Sequence, residues 1–411
     1  MLDTTIHPKS LERQLRRSDF ARRTPQEDIL FKEAILAEAM QIAADGFDIA
    51  HLQVSQIHGK PVYQHAKLSQ ALLIRHASQN IRKLTGVKQS DRQSIIKSLI
   101  SLLREGVAFT VMKIDIKSFY ESISTAHVLD SLRNDPAFSR QSVFVLDSFF
   151  DALRRRGIQG LPRGIGLSAT LAEFAMRNFD QNISNVAGVR FYSRYVDDAI
   201  LVITDNANPA EIRALMKRYL PPNLDFNQKK TKNFDFERFN RTDTDRVEHV
   251  VEFLGYAISV GKITRKNQIF SRTVEVDISG KKVAKIKRRL AKALIEFNDG
   301  GSFDDLLDRV KILTSNYEFT DNDSGQKRYS GLRYSYPHIN AEASRSLTTL
   351  DKFFVHAIVS KKTSNRLRPN LSEDQLKKLL GFRFMRGYNH NVFFSFNIKR
   401  FEKLVGCWSH A

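Results

Sequence analysis

The stretch Phe191-Tyr-Ser-Arg-Tyr-Val-Asp-Asp-Ala-Ile-Leu-Val-Ile203 places two adjacent acids between two short apolar segments. Because both segments have the length and composition of strands, we predict a β-hairpin with Asp197 and Asp198 at its tip. Aspartate is common in solvated turns, so the tip alone indicates no function. Adjacent carboxylates also suit a hard cation such as Mg²⁺, but a complete site then needs a third acid from another strand.

Asp115 is the candidate for this third acid. The segment Phe-Thr-Val-Met-Lys-Ile-Asp-Ile over residues 109–116 has the pattern of a short strand that ends on an acid. If that strand is buried, the charge of Asp115 must be satisfied, and a pair of metal ions would do so. The alternative is a helix N-cap, or a buried ion pair with Lys113 or Lys117. Asp115 and Asp197 are far apart in sequence, so only the fold can bring them together.

Further motifs accompany these acids in a fixed order. An acid-bearing strand comes first, followed by a glycine-rich loop before a helix, the acidic hairpin, a Lys-Thr pair and a Phe-Leu-Gly-Tyr strand. This order, over roughly residues 65–260, resembles the palm of reverse transcriptases. The matching segments are Asp115-Ile-Lys-Ser-Phe-Tyr120 (motif A), Gly160-Leu-Pro-Arg-Gly-Ile-Gly-Leu-Ser168 (motif B), Tyr195-Val-Asp-Asp198 (motif C), Asn227-Gln-Lys-Lys-Thr231 (motif D) and Phe253-Leu-Gly-Tyr256 (motif E).

The resemblance implies an α+β fold with the right-hand polymerase architecture. Its parts would be helical fingers, an antiparallel-sheet palm, a helical thumb and a C-terminal helical extension. We therefore expect three regions: an N-terminal helical region, the fingers and palm, and the thumb with the C-terminal helices, over 1–64, 65–260 and 261–411. Local patterns predict helix over most of residues 1–60, strands near 247–260 and 262–276, and a long polar loop over 320–337.

The resemblance also assigns catalytic roles. Asp115 and Asp197 would bridge two Mg²⁺ ions, with Asp198 at or near the same ions and a smaller role. The backbone carbonyl of Ile116 would be a further ligand. Two such ions assist an in-line phosphoryl displacement, which is the chemistry of nucleotide addition.

Substrate contacts follow from the same resemblance. Tyr120 would be a steric gate whose ring excludes a 2′-hydroxyl and so selects deoxynucleotides; the alternative is a core tyrosine. Arg163, where many members of the family have Gln, would contact the nucleotide. Lys230 would protonate the leaving pyrophosphate, unless it is a surface lysine in a basic run. Either Arg75 or Arg82 would hold the triphosphate.

The composition agrees with a nucleic-acid partner. The chain has 65 Lys and Arg against 45 Asp and Glu, a formal net charge of +20 and a pI near 9.9. Such a charge favours a polyanionic partner, although a ribosome-associated or membrane-surface protein would share it. A cationic segment with helical apolar spacing, residues 281–292, is expected to follow nucleic-acid phosphates through Lys285, Arg288 and Arg289. A solvated helix or a membrane-surface helix is the alternative for this segment.

Other features restrict the setting. The single cysteine, Cys407, excludes a disulfide framework and a cysteine-based zinc site. Apolar runs are short and the first residues lack a signal-peptide pattern, so we expect a cytoplasmic protein with no membrane partner. The aromatic residues near the C-terminus suggest a packed helical subdomain that binds a structured RNA, a second copy of the chain or a partner protein.

Together these observations predict an RNA-directed DNA polymerase that uses an RNA template and dNTPs and makes a DNA product. The variant motif B, with Arg163 and with Ser168-Ala169, resembles bacterial reverse transcriptases of phage defence and abortive infection, which implies a non-coding RNA as template. An RNA-dependent RNA polymerase, a non-catalytic RNA-binding scaffold and a metal nuclease are the alternatives. Tyr120 disfavours the first, the retained acids disfavour the second, and motifs B, D and E would have no purpose in the third.

Overall fold

The computed structural model describes residues 4–20, 25–57, 59–240, 246–266, 269–321, 325–360 and 367–408. Its α-helices are α1 (Pro8–Glu12), α2 (Pro25–Asp45), α3 (Leu68–Thr85), α4 (Arg92–Leu103), α5 (Phe119–Ser122), α6 (Thr125–Arg133), α7 (Arg140–Arg155), α8 (Gly166–Ser184), α9 (Pro209–Tyr219), α10 (Gly280–Asn298), α11 (Phe303–Thr314), α12 (Leu332–Ser335), α13 (Arg345–Val359), α14 (Glu373–Leu380), α15 (Phe384–Asn389) and α16 (Ile398–Gly406). Its strands are β1 (Leu52–Ile57), β2 (Lys60–His65), β3 (Phe109–Asp115), β4 (Val189–Tyr195), β5 (Asp198–Thr204), β6 (Lys232–Phe236), β7 (Val247–Phe253), β8 (Tyr256–Lys266), β9 (Ile269–Ile278), β10 (Asn316–Thr320), β11 (Lys327–Gly331) and β12 (Phe393–Phe396).

The chain folds into two compact units. The first comprises residues 1–91 and 108–235, and the second comprises residues 92–107 and 236–411. Helices and antiparallel strands occur in both units, which confirms the predicted α+β class. The predicted three-region division, with boundaries at residues 64/65 and 260/261, stays a prediction.

The first unit is built on a four-stranded sheet in the order β4-β5-β3-β6. Strand β3 pairs antiparallel with β5 from Phe109↔Thr204 to Asp115↔Asp198. The apolar residues of both central strands are buried, as their continuous apolar runs predict. Helix α8 packs against α3 and β4, and it begins at the end of the glycine-rich loop. The predicted strand–hairpin framework therefore forms, and its acids lie at one end of the sheet.

The prediction of helix over most of residues 1–60 is wrong for residues 52–57. Strands β1 and β2 form an antiparallel hairpin instead, with Leu52 opposite His65 and Ile57 opposite Lys60. Apolar residues alternate with polar ones at Leu52 and Val54, which is the period of a strand. Gly59 lies at the turn with a φ of 72°, a left-handed conformation that glycine adopts without strain. The region upstream of α3 is therefore a mixture of helices and one hairpin.

The second unit contains two three-stranded sheets besides its helices. In one of them, β7-β8-β9, the chain makes three strands where two had been predicted, because Leu254 and Gly255 form a tight turn at positive φ. The other sheet has the order β11-β10-β12. Its strand β11 and helix α12 lie within the segment predicted as a long polar loop, so the loop prediction is wrong for these residues.

Helix α10 has the predicted two-sided character. Its buried residues are Val283, Leu290, Ala293 and Leu294, while its cations remain on the more exposed side. Among the helices of the described residues, none combines the length and the apolar composition needed to cross a bilayer.

Candidate active site

The acidic hairpin closes through a two-residue turn, Val196-Asp197, between the paired residues Tyr195 and Asp198. Val196 has a φ of 60°, in the left-handed region that β-branched residues rarely occupy. Such a conformation persists only where the surrounding structure holds it in place. The turn that presents Asp197 is therefore strained and needs support.

Arg194 supplies that support. Its side chain is buried, with 5% exposure, and its Nη1 donates to the Val196 carbonyl over 3.0 Å. Its remaining N–H groups bind the carboxylates of Glu173 and Asp180 on α8, with the two Nη2 contacts at 2.7 Å each. Burial alone would lower the pKa of Arg194, but the hydrogen bonds to Asp180 and Glu173 raise it above its ordinary value. The guanidinium thus joins α8 to the turn that carries Asp197.

Arg194 is not among the residues predicted from the sequence. A signal was present, because an isolated charge within a strand of a sheet core needs a buried partner. Glu173 and Asp180 are seven residues apart on α8, so they lie on one face of that helix.

The three acids come together where β3 ends and β5 begins, with Asp115 as the last residue of β3, Asp198 as the first of β5 and Asp197 directly before it. Asp115 is paired directly with Asp198, and the Ile116 N–H donates to the Asp197 carbonyl over 2.9 Å. Burial raises the pKa of Asp198 to about 6, and the charges of Asp197 and Asp115 add to this rise. Burial and the charge of Asp115 likewise raise the pKa of Asp197. The site therefore concentrates negative charge in a partly desolvated place.

Lys230 is the cation that contacts these acids. Its Nζ donates to Asp115 Oδ2 over 2.9 Å, a contact that takes the place of the predicted ion pair with Lys113 or Lys117. The backbone positions it: the Asn227 N–H donates to the Asp115 carbonyl over 2.7 Å, and the Lys230 N–H donates to the Asn227 carbonyl. The hydrogen bond to Asp115 raises the pKa of Lys230. Lys230 is therefore protonated and lies at the acids, while its side chain stays open to solvent.

Tyr120 and Arg163 lie together at the glycine-rich loop. The guanidinium of Arg163 lies 5.3 Å from the centre of the Tyr120 ring, and its Nε donates to Glu121 Oε1 over 2.6 Å. The Leu161 N–H donates to the Tyr120 carbonyl, which fixes the loop against α5. A Cβ on Gly160 would lie 2.4 Å from the Glu121 carbonyl oxygen, so this position requires glycine. Tyr120 is half-buried, with its ring edge-on to Phe119.

Lys60 is a residue that the sequence analysis missed. Its Nζ lies 3.9 Å from Glu121 Oε1, so it is close to the pair formed by Glu121 and Arg163. The hairpin that carries it is fixed to the loop, because the Tyr63 N–H donates to the Arg163 carbonyl over 2.7 Å. The only sequence signal was a lysine directly after Gly59, and the hairpin of β1 and β2 was itself not predicted.

Arg75 and Arg82 lie in a different place from the three acids. Arg75 makes two hydrogen bonds to Asp19, and the Nε of Arg82 donates to Thr170 Oγ1 over 2.8 Å. Both arginines line a cavity of about 700 Å³ beside residues 164–167 of the glycine-rich loop. His65 also lines it, with both ring nitrogens buried and unpartnered. The choice between Arg75 and Arg82 as the triphosphate contact stays a prediction.

The three acids are suitable ligands for Mg²⁺. Within the described ranges, no three carboxylate, imidazole or thiol groups are already arranged as a metal site. The donor set nevertheless fits, because carboxylate oxygens are what Mg²⁺ prefers, and a dication would offset the burial and the mutual repulsion that raise the pKa values of Asp197 and Asp198. Such an ion at Asp115 competes with Lys230, whose contact must lengthen.

The predicted nucleic-acid contacts on α10 differ among themselves. Arg288 is exposed and Lys285 half-exposed. Burial and the neighbouring cations Arg289, Lys282 and Arg288 lower the pKa of Lys285. Arg289 instead packs on Trp408, with its guanidinium 5.4 Å from the ring centre, and its carbonyl accepts a hydrogen bond from the Trp408 indole. Lys285 and Arg288 are therefore the better placed of the three for phosphates.

Comparison with known proteins agrees with this geometry. Residues 63–258 match the family described as reverse transcriptase (RNA-dependent DNA polymerase). The chain contains a reverse transcriptase domain. The match spans all three acids, Lys230, the glycine-rich loop and the whole of motif E. The recognition of this family from its motif order is confirmed; the bacterial defence subtype stays a prediction.

The chain has weak similarity to solved structures and no match among curated proteins. Among solved structures, the chain is similar to an apo telomerase from Candida tropicalis truncated from its C-terminal domain, with 12% identity and a TM-score of 0.32. The similarity covers 47% of this chain and 44% of that chain, so this chain spans less than half of its length. A comparison with curated proteins gave no match.

Proposed function

We propose that this chain is an RNA-directed DNA polymerase that extends a primer with deoxynucleotides. The observation that carries the proposal is the convergence of Asp115, Asp197 and Asp198 at one end of the sheet within a reverse transcriptase domain. These acids come from two separate strands, and burial and mutual repulsion raise the pKa values of two of them. A scaffold that only binds RNA gains nothing from this costly arrangement.

In the proposed reaction the primer 3′-oxygen attacks the α-phosphorus of a dNTP, a new phosphodiester bond forms, and the bond to pyrophosphate breaks. Two Mg²⁺ ions, when bound, supply activation of the 3′-hydroxyl and neutralisation of the triphosphate. Asp115, Asp197, Asp198 and the Ile116 carbonyl would hold them. Lys230, which is protonated at the site, would donate a proton to the leaving pyrophosphate.

Sugar selection belongs to Tyr120 in this proposal. The half-buried ring packs between Phe119 and the guanidinium of Arg163, which restricts its movement. A ring held beside the sugar would clash with the 2′-hydroxyl of a ribonucleotide, and this clash would lower kcat/KM for ribonucleotides relative to deoxynucleotides. A steric gate at Tyr120 favours the synthesis of DNA over the synthesis of RNA.

Primer extension on an RNA template, with dNTPs and Mg²⁺, tests the proposal. We expect extension by the wild-type chain, and none by the Asp197→Ala, Asp198→Ala double variant, while RNA binding stays nearly unchanged. Asp151→Asn, which removes a surface acid of α7, serves as the control. Extension with NTPs but not dNTPs would instead establish the RNA polymerase, and extension by the double variant would reject both polymerases.

For the biological setting, we propose that the enzyme copies a cognate non-coding RNA in bacterial antiviral defence, in the cytoplasm, alone or with a second copy or partner protein. The support is the variant glycine-rich loop, with Arg163 and Ser168-Ala169. Sequencing of the nucleic acid that copurifies with the chain, before and after extension, tests this. A single abundant structured RNA is the expected result, whereas a random sample of cellular RNA would contradict it.

A further inference from the structure

The sheet β11-β10-β12 in the second unit has one covered face. Side chains of adjacent residues in a strand point to opposite faces, so Tyr317 and Phe319 of β10 share one face. Phe401 of α16 covers that face, with its ring centre 5.1 Å from Tyr317 and 4.9 Å from Phe319. This side of the sheet is ordinary core packing.

The opposite face carries three aromatic rings that remain partly exposed. Tyr329 of β11 lies opposite Glu318, and Phe393 of β12 lies opposite Asn316, so these residues belong to this second face. Tyr329 is 44% exposed, Phe393 is 42% exposed, and nearby Tyr334 of α12 is 54% exposed. Ring centres of Tyr334 and Phe393 lie 6.3 and 6.0 Å from that of Tyr329. The three rings form one continuous exposed patch, which we call the aromatic face.

The segment of the chain that carries Phe393 has an excess of positive charge, which favours a polyanion. Glu318, which lies on it, is neutralised by Lys327 at 2.8 Å. Residues 375–401, which include β12, contain no acid. The cations of that segment are Lys377, Lys378, Arg383, Arg386, Lys399 and Arg400, of which Arg400 is already paired with Asp305 and Asp308.

From these observations we propose that the aromatic face binds single-stranded nucleic acid by stacking bases on Tyr329, Tyr334 and Phe393. Exposed aromatic rings on a sheet, flanked by cations, suit unpaired bases because every base has a flat face and every linkage a negative charge. A duplex offers no such faces, since its bases are already stacked on each other. The proposed surface belongs to the second unit, whereas the three acids belong to the first, and it adds a binding function for unpaired RNA or DNA.

The test uses the full chain and labelled 12-nucleotide single strands of RNA and DNA, followed by fluorescence anisotropy without dNTPs or Mg²⁺. The Tyr329→Ala, Tyr334→Ala, Phe393→Ala triple variant should bind single strands about 5- to 150-fold more weakly for each base that stacks. Its affinity for an RNA–DNA duplex without overhangs should not change. The salt dependence of single-strand binding should keep its slope, because no phosphate contact is removed.

Three controls make the result specific. A matched triple variant, Phe144→Ala, Tyr219→Ala and Phe270→Ala, removes three other exposed aromatic rings and should bind as the wild type does. The Tyr329→Phe, Tyr334→Phe double variant keeps the rings and should retain affinity. The Arg386→Glu variant should flatten the salt slope, unlike the loss of the rings.

Photocrosslinking provides a second readout that does not depend on variants. Single-stranded RNA containing 5-iodouridine should crosslink to at least one residue of the aromatic face, as identified by mass spectrometry. Unchanged single-strand affinity of the alanine triple variant would overturn the proposal. So would a change in oligomeric state without any change in nucleic-acid binding, because the face would then be an interface between protein chains.

Discussion

The Lys230 ammonium donates a hydrogen bond to Asp115 Oδ2 over 2.9 Å, so one lysine contacts the acid that the proposed mechanism assigns to both metal ions. Asp115 is almost fully buried, whereas the Lys230 side chain is 61% exposed. The lysine can therefore leave towards solvent when a dication approaches, and it remains close enough to serve the leaving group.

Replacement of Lys230 separates these two effects. We expect Lys230→Ala to lower kcat for nucleotide incorporation by about 10²-fold, because general acid catalysis contributes at least that much. The same variant should need less Mg²⁺ for half-maximal rate, because a competing cation at Asp115 is gone. Steady-state extension over a Mg²⁺ series measures both. Lys229→Ala, next to it and exposed, is the control, and equal effects of the two variants would contradict a role for the Lys230 contact.

Replacement of Tyr120 tests the steric gate. If the ring abuts the sugar, Tyr120→Ala should raise kcat/KM for rNTPs relative to dNTPs, by about tenfold for each 1.4 kcal/mol of clash removed. Single-nucleotide extension with matched dNTP and rNTP measures the ratio, and thermal melting measures stability. Phe150→Leu, a change of a buried ring on α7, should lower the melting temperature without changing the ratio. An unchanged ratio for Tyr120→Ala would assign this ring to the core.

The convergence of Asp115 and Asp197 could be predicted from sequence because each acid follows or joins a short apolar run. Those runs predict buried strands locally, and the motif order then selects a known way of joining them. The contact of Lys230 with Asp115 was predicted only as a role in motif D. The lysines considered as partners of Asp115 were sequence neighbours, whereas its partner in the structure is 115 residues away.

The parts that could not be predicted depend on distant pairing. Strand β12 pairs with β10, which lies about 75 residues earlier in the chain. The four residues Phe393–Phe396 are too few for their sequence pattern to predict this pairing. The same limit applies to Arg194, whose partners Glu173 and Asp180 lie on another element. The hairpin of β1 and β2 is different: its alternation is local, but it is short and follows a long helix.

Helix α10 gives a prediction about duplex binding. Reversal of charge at Lys285 and Arg288 should weaken binding of an RNA–DNA duplex and reduce the slope of log K against log salt by about 0.9 for each lost phosphate contact. Arg289 is left intact because its loss would expose Trp408. Arg140→Glu with Arg154→Glu on α7 is the matched charge reversal. An equal slope for the two double variants would place α10 away from the duplex.

His65 predicts a pH dependence of stability. Burial lowers the pKa of His65 to about 4 from 6.5, and the charge of Arg75 adds to this effect. Below about pH 6.5 the unfolded chain binds a proton at His65, whereas the folded chain binds it only near pH 4. The stability that neutral His65 provides is therefore fully present above pH 6.5 and is lost as the pH falls towards 4.

His65→Gln should therefore melt at higher temperature relative to the wild type at pH 5 than at pH 8. The difference should be about 2–4 °C for each kcal/mol of linkage. His127→Gln, at an exposed position of α6, is the control and should follow the wild type at both pH values. A constant difference between His65→Gln and wild type over this range would show that the ring titrates normally.

The last prediction concerns the support of the catalytic turn. Arg194→Met removes the hydrogen bond to the Val196 carbonyl and also leaves Glu173 and Asp180 without their cation, which costs about 3–5 kcal/mol for a buried pair. Loss of activity in this single variant would therefore have two explanations. The triple variant Arg194→Met, Glu173→Gln, Asp180→Asn removes the unpaired charges and should recover much of the melting temperature.

If Arg194 positions the turn, the triple variant should still incorporate nucleotides about 10²-fold more slowly, because a displacement of about 1 Å at reacting groups has that cost. Its affinity for the template–primer should be unchanged, since no phosphate contact is altered. Single-turnover extension beside thermal melting measures both quantities. A triple variant with wild-type rates would show that Arg194 only neutralises the acids of α8, and that Val196 keeps its left-handed conformation without the guanidinium.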